Sequence, residues 1–318
     1  MTTTELLWDA LAKVALILAF ISLNALFLIW AERKVSGFIQ RRLGPVRVGR
    51  PHGFLQTIAD VIKLLSKEDV VPGPADRLLF ILAPVVFFLP AVLVYVVVPI
   101  GPRAVISDLN IGILYVIAVT SVGVLSIFMA GWGSNNKWAL LGSMRAAAAL
   151  IAYEVPVVLS VIGVIMLAGS LSLQDVIRAQ DGLWFILLQP LGFMVYIIGS
   201  LAELSRIPFD LNEAESELVA GFNVEYSGLR WALFFLVEYS NIVVVSAVGT
   251  ALFLGGWRGP FLPPVVWFLL KTYLLVFVIM WIRWTLPRLR IDQLTGLAWK
   301  FLIPVALVNI GITGLILL

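Results

Sequence analysis

The chain has 318 residues, of which 61% are hydrophobic and 13% charged, with a formal net charge of +3. Soluble domains carry about 25% charged residues, so an ordinary soluble domain is excluded and a protein that crosses a membrane several times is indicated. Cysteine is absent and His52 is the only histidine, which excludes disulfides, a cysteine-held iron–sulfur cluster, a bis-histidine haem and a zinc site of ordinary composition.

Apolar runs predict an all-α, polytopic helical bundle of about eight transmembrane helices, since each span needs about 20 apolar residues. They lie at about 10–31, 78–99, 111–131, 147–169, 183–202, 231–254, 263–282 and 298–317. No long polar tract divides them, so residues 1–318 read as a single membrane domain. Glu5 and Asp9 precede the first run and no small-residue cleavage site follows it, so it reads as a retained span.

In the loop 32–77, GFLQTIADVIKLLSK sets Phe54, Ile58, Val61 and Leu65 on one helical face and turns Asp60, Lys63 and Lys67 elsewhere. That pattern predicts an amphipathic helix lying in the membrane interface. A surface anchor accounts for it fully; such a helix is also suited to hold open a mouth for a lipid-like molecule entering sideways.

Ionisable residues inside a membrane are costly and functional by default. Glu154 lies within the fourth span, Glu238 within the sixth, and Glu203 closes the fifth. All three fall in the same half of the bilayer. Packing by ion pair is a fair alternative for Glu203, with Arg206 one turn away. It is poor for Glu154 and Glu238, which lack a basic neighbour within a helical turn. Each of these two therefore either meets a partner from another helix or is protonated. Pro156, two residues after Glu154, releases a helix carbonyl and leaves room for water.

The stretch ELSRIPFDLNEAESELVAGFNVEY, 203–226, gathers six of the nineteen acidic residues, with Arg206 its one arginine. A helix over 211–219 would put Glu213 and Glu217 on one face and Glu215 on another, with Pro208 fixing a bend and Asp210 capping. Crowded carboxylates titrate as a set. These residues form either a carboxylate chain leading to the midplane or a solvated loop. The last basic loop, RWTLPRLRIDQL, brings Arg283, Arg288 and Arg290 to the membrane. Loops 32–77, 132–146, 203–230 and 283–300 hold 17 Lys and Arg residues; the opposite loops and N-terminus hold 4. That bias assigns the richer loops to the cytoplasm and both termini to the other side. The positive charge thus reflects topology and not a nucleic-acid surface.

Three motifs carry a resemblance: AERKVSGFIQRRLGPVRVG at 31–49 with ADVIKLLSKE at 59–68, ELSRIPFDLNEAESELVAGFNVEYSG at 203–228, and WIRWTLPRLRIDQL at 281–294. Through them the chain resembles, over essentially its whole length, the H-subunit family of the proton-pumping NADH–quinone oxidoreductase, respiratory complex I. The resemblance implies a non-redox subunit of a translocase, catalytic only within the assembly, in a bacterial plasma (inner) membrane. It implies quinone as substrate, with NADH, FMN and iron–sulfur clusters in partner subunits and no cofactor on this chain. The implied partners are two peripheral-arm subunits that complete the quinone chamber, antiporter-like membrane-arm subunits and the lipid bilayer, with no nucleic acid. Quinone would enter near the first span, the amphipathic helix and the sixth span. The implied proton path maps onto Glu154, Glu203, Glu213, Glu215, Glu217 and Glu225, to which Glu238 is added from its position in the sixth span. The chamber would take Glu32, Arg33, Lys34, Arg42, Asp60, Arg206, Asp210, Phe222 and Arg288. Thr57 replaces a proline of the family pattern, and Ala149 and Ala152 replace a glutamine and a serine, which strips polar neighbours from Glu154. Two rival readings are a related protein of an energy-converting hydrogenase, which uses no quinone, and a secondary transporter with midplane carboxylates. The first-loop and 203–228 motifs favour the quinone family. The transporter predicts interrupted spans in paired positions, which the sequence does not display.

Overall fold

A computed structural model of the chain describes residues 3–210 and 215–318, with side chains described from Thr4 and omitting those of residues 215 and 216. Without water to satisfy the backbone, an apolar chain in a bilayer must close its hydrogen bonds within helices. The order is α1 (Thr3–Ile39), α2 (Gln56–Ser66), α3 (Arg77–Val94), α4 (Gly112–Gly133), α5 (Lys137–Ala168), α6 (Leu173–Ala179), α7 (Phe185–Leu188), α8 (Pro190–Glu203), α9 (Glu215–Leu218), α10 (Gly228–Phe253), α11 (Pro264–Thr285), α12 (Ile291–Leu297) and α13 (Ile303–Leu317). Among the described residues there is no strand. Seven helical segments among the described residues are long and apolar enough to cross a membrane, and α8 is a shorter apolar helix.

The polytopic helical bundle expected from the sequence is therefore present, with element ends that differ from the apolar runs. The first helix extends well past 10–31 at both ends, about 55 Å at 1.5 Å per residue. The run 183–202 is not one helix. It breaks at Gln189, ahead of Pro190, into α7 and α8, because proline disfavours helical backbone in the residue before it. The last span starts at Ile291 and carries a π turn at Ala298–Leu302 before α13.

A break inside a membrane leaves polar groups to be satisfied by protein. Two buried glutamines do this. Gln180 donates to Val176 O and Ala251 O and accepts from the amides of Phe185 and Gly255. Gln189 donates to Gly163 O and Thr313 Oγ1 and accepts from Asn309 at 2.5 Å. Gly163 permits this approach, because a Cβ there would meet Gln189 Oε1 at 2.5 Å.

Of the spans, α10 is the most deeply buried and α5 the next, so these two form the centre. The other helices surround them, with residues such as Leu7, Leu125 and Leu187 facing outward, as lipid contact requires. The end of the bundle that carries α2 and α9 is its basic-loop end. Between α1 and α2 the chain folds back so closely that a Cβ on Gly37 would lie 2.9 Å from Gly44 N.

Candidate functional site

α10 divides two regions. On one side a groove of about 570 Å³ opens between α1, α2 and the start of α10, lined by residues including Ala25, Ile29, Leu64, Ala232 and Leu236. Its polar rim includes Arg33 and Asp60, whose 2.6 Å ion pair ties α1 to α2. The amphipathic helix is present, starting at Gln56, with Ile58, Val61, Ile62 and Leu65 exposed. Phe54 precedes it and stacks on Trp30 at 4.5 Å.

At the inner end of the groove, α10 carries an aromatic ladder at a spacing of four residues. Trp231 stacks on Phe235 (4.9 Å), and Phe235 meets Tyr239 edge-on (5.0 Å). The ladder ends in a buried charge cluster. Tyr239 Oη donates to Glu32 at 2.7 Å. Glu32 also takes a hydrogen bond from Arg283 and faces Arg206 Nη1 at 3.7 Å. Arg206 reaches Glu238 at 3.3 Å and stands 4.8 Å above the Tyr239 ring. The side chains of Arg206 and Glu32 are 4% and 5% exposed. Buried charges persist only when paired and hydrogen-bonded, and here α1, the α8 end, α10 and α11 each contribute a member.

On the other side of α10, Glu238, Asn241, Val245, Val248 and Leu252 share one helical face. Glu238 and Asn241 line a cavity with water-sized space of about 100 Å³, together with Glu154, Glu203, Thr120, Ser121 and Phe222. About 10–15 Å³ of such space admits one water, so several fit beside these polar groups. Ser121 of α4 donates to Glu154, supplying from a neighbouring helix the polar contact that Ala149 and Ala152 withhold. A second cavity of about 60 Å³ shares Thr120, Glu154 and Glu203 and continues toward the opposite end.

The acids of 203–226 separate into distinct settings. Glu217 binds Arg145 at 2.7 Å and faces Arg288 at 3.8 Å. The Arg145 hydrogen bond, followed by the charge of Arg288, holds its carboxyl below the ordinary value of 4.5. Glu225 accepts from Asn136 at 2.6 Å. Glu217 thus has two arginines where the local sequence offers one, because Arg145 arrives from α5 and Arg288 from the loop after α11. Asp210 is partly buried. The first four residues of the expected 211–219 helix, Glu213 among them, lie outside the described residues; the rest is helical as α9 to Leu218, and of Glu215 only the backbone is described.

A family model described as NADH dehydrogenase matches residues 12–314. The H subunit of the NADH-quinone oxidoreductase of Dehalococcoides mccartyi (strain CBDB1) is 53% identical over 304 residues, covering 96% of this chain and 86% of the relative. Its counterpart in Anoxybacillus flavithermus is 56% identical over 292 residues, covering 91% and 88%. A counterpart in Geobacter metallireducens is 52% identical over 317 residues, covering 97% and 96%. The chain belongs to the H-subunit family of NADH-quinone oxidoreductases.

As a member of the H-subunit family, the chain brings together many of the residues that its sequence singles out. Glu32, Arg206 and Glu238 meet in the charge cluster; Arg33 and Asp60 stand on the groove; Glu154, Glu203, Glu238 and Phe222 share the central cavity. Phe222 is buried against Phe234 and not on the groove. Arg42 is exposed and binds Gln40, while Lys34 runs beside Gly44 at the end of α1. Sequence reasoning missed Tyr239, Arg283 in its role as a partner of Glu32, Ser121 and the Trp231–Phe235 pair. The spacing of Trp231, Phe235 and Tyr239, four residues apart, was the available signal for the ladder. The contact between Ser121 and Glu154 is tertiary and leaves no local pattern.

Proposed function

We propose that this H-subunit chain forms the membrane wall of a quinone-binding chamber in complex I and couples quinone reduction to proton translocation. The observation that carries this reading is the aromatic ladder Trp231–Phe235–Tyr239, which joins a lateral apolar groove to a buried charge cluster. Grooves of this size with few polar groups suit an apolar ligand, and the isoprenoid tail of a quinone matches one open to lipid between α1, α2 and α10. The headgroup would react at the basic-loop end, where peripheral-arm subunits supply NADH oxidation, FMN and iron–sulfur chemistry. This chain contributes positioning and electrostatics.

In this mechanism, reduction adds negative charge and draws protons near the cluster. The change in field alters the balance among Glu32, Arg206, Glu238 and Arg283. Glu238 faces both the cluster and the central cavity, so a proton displaced there can pass by water to Glu203 and Glu154 and onward to antiporter-like membrane-arm subunits. Glu213 and Glu215 enter the path from the basic-loop end, while Glu217 and Glu225 serve chiefly to hold the acidic loop in place. The protein sits in a bacterial inner membrane with both termini on the non-cytoplasmic side.

The test is proton translocation per quinone reduced, measured with assembled complex in proteoliposomes. Glu154→Gln should retain most quinone reduction and lose most of the coupled pumping. Glu213→Gln and Glu215→Gln should also depress pumping. Wild-type pumping in all three would defeat the role assigned to these acids.

A further inference from the structure

The two central cavities follow one another along the bundle. The first begins near Leu204 and Phe222 at the basic-loop end, and the second reaches Leu173 of α6 and Leu252 of α10 at the opposite end. From Glu238 to Leu252 is fourteen residues on α10, about 21 Å at 1.5 Å per residue. The tract thus crosses most of the membrane thickness, and its two halves differ in chemistry.

The carboxylates all lie in the first half or at the junction. Beyond Glu154 and Glu203 come Ser200 and Tyr196 of α8, and then the walls are Val116, Val161, Leu173, Val248 and Leu252. The hydroxyls of this second cavity sit toward the junction: Ser200 Oγ, one turn of α8 before Glu203, has no hydrogen-bond partner among the described residues, while Tyr196 Oη donates to Val245 O at 2.8 Å and Thr120 Oγ1 to Val116 O at 3.0 Å. By size the second cavity would admit water. By lining, its far part between Val161, Val248, Leu173 and Leu252 would not hold it, because a buried water needs two to four polar partners and apolar cavities stay dry. Across its far end lies α6, with Leu173, Val176 and Ile177 buried.

We propose that this apolar half is a dewetted barrier, formed around Val161, Val248, Leu173 and Leu252, which prevents protons on Glu154 and Glu203 from crossing directly to the opposite face. A proton needs a chain of water or titratable groups. Hydrophobic constrictions block conduction by excluding water, without a steric plug. The barrier forces the charge that reaches Glu154 to leave sideways through the bundle. It deepens the coupling role proposed above and rests on that reading only for its purpose. The physical barrier itself can be measured without quinone.

Passive proton conductance is the readout: assembled complex in proteoliposomes under an imposed potassium diffusion potential, with a pH-sensitive dye and neither donor nor quinone present. Val248→Asn should raise the conductance several-fold over wild type by giving water a partner midway along the barrier. Val161→Ser, a smaller change on α5, should raise it in the same direction and serves where Val248→Asn fails to assemble. The leak should run through the carboxylates, so adding Glu154→Gln to the leaking variant should bring conductance back toward wild type. A polar variant assembled in normal amount with wild-type conductance overturns the barrier. So does a leak that Glu154→Gln leaves unaltered. Because no turnover occurs in this assay, failure here leaves the quinone reading standing, and failure of coupled pumping leaves the barrier standing.

Discussion

Arg206 is held by a division of labour that its neighbours make visible. Its guanidinium meets Glu238 and Glu32, and Glu32 has Arg283 and Tyr239 as further partners. Breaking a buried ion pair from one side costs about 3–5 kcal/mol, because a charge remains without its counter-ion. Arg206→Met should therefore lower the thermal stability and yield of the assembled complex. Removing the charge of Glu238 as well should restore part of the loss, since Arg206→Met with Glu238→Gln leaves Glu32 with its other cation. Thermal denaturation of the single and double variants checks this; an additive double variant would show the pair to be uncoupled. The same residues mark where sequence reading stops. The sequence shows that Glu238 has no cation within a helical turn, and it does not show that Arg206, 32 positions away, supplies one. Pairing across helices depends on packing and leaves no periodic trace.

At the scale of elements, the segment 215–226, the short α9 and the turn after it, is held by contacts with distant elements. Glu217 of α9 meets Arg145 at the start of α5 and Arg288 after α11, and Leu289 N donates to Pro208 O at 2.9 Å. The carboxyl is held below its ordinary 4.5 by Arg145 first. A depressed carboxyl contributes its full stabilisation above the ordinary value and loses it as pH falls through the depressed one. Glu217→Gln should thus speed amide exchange over 217–226 at neutral pH, and the difference from wild type should shrink well below pH 4.5, where wild type also loses the charge. High salt should shrink it too, because the pair is half exposed. Equal exchange at neutral pH and low salt would remove the clamp. Elements with a strong local signal were legible: the long apolar spans and the amphipathic face of α2 follow from composition and period. The break at Gln189 was less so, since an unbroken apolar run masks it. Gln189–Pro190 was the clue, and the partners that make the break tolerable, Asn309 and Thr313, lie over a hundred residues away.

Over the whole molecule, α10 is the wall between the groove at α1 and α2 and the carboxylate-lined cavities beside α4, α5 and α8. Its groove face carries Leu229, Ala232, Leu233 and Leu236, and its inner face Glu238, Asn241, Val245 and Val248. If the groove holds a quinone tail, bulk added to its wall must discriminate by tail length. Ala232 is small and partly buried there, and it directly follows Trp231, the first member of the aromatic ladder. Ala232→Trp would fill part of the roughly 570 Å³ groove with an indole. It should raise the KM for a long-tailed quinone several-fold while leaving the KM for a short-tailed analogue near wild type. The maximal rate with the short analogue should also hold, because the charge cluster lies beyond the altered wall. Loss of both activities would mean that the substitution disturbs α10 itself, and unaltered kinetics with the long tail would mean that the tail does not run between α1, α2 and α10. Uniform binding along an apolar tail changes KM and not the chemical step, so only tail-selective loss fits a molecule that admits its substrate from the side and keeps its protons on the far side of α10.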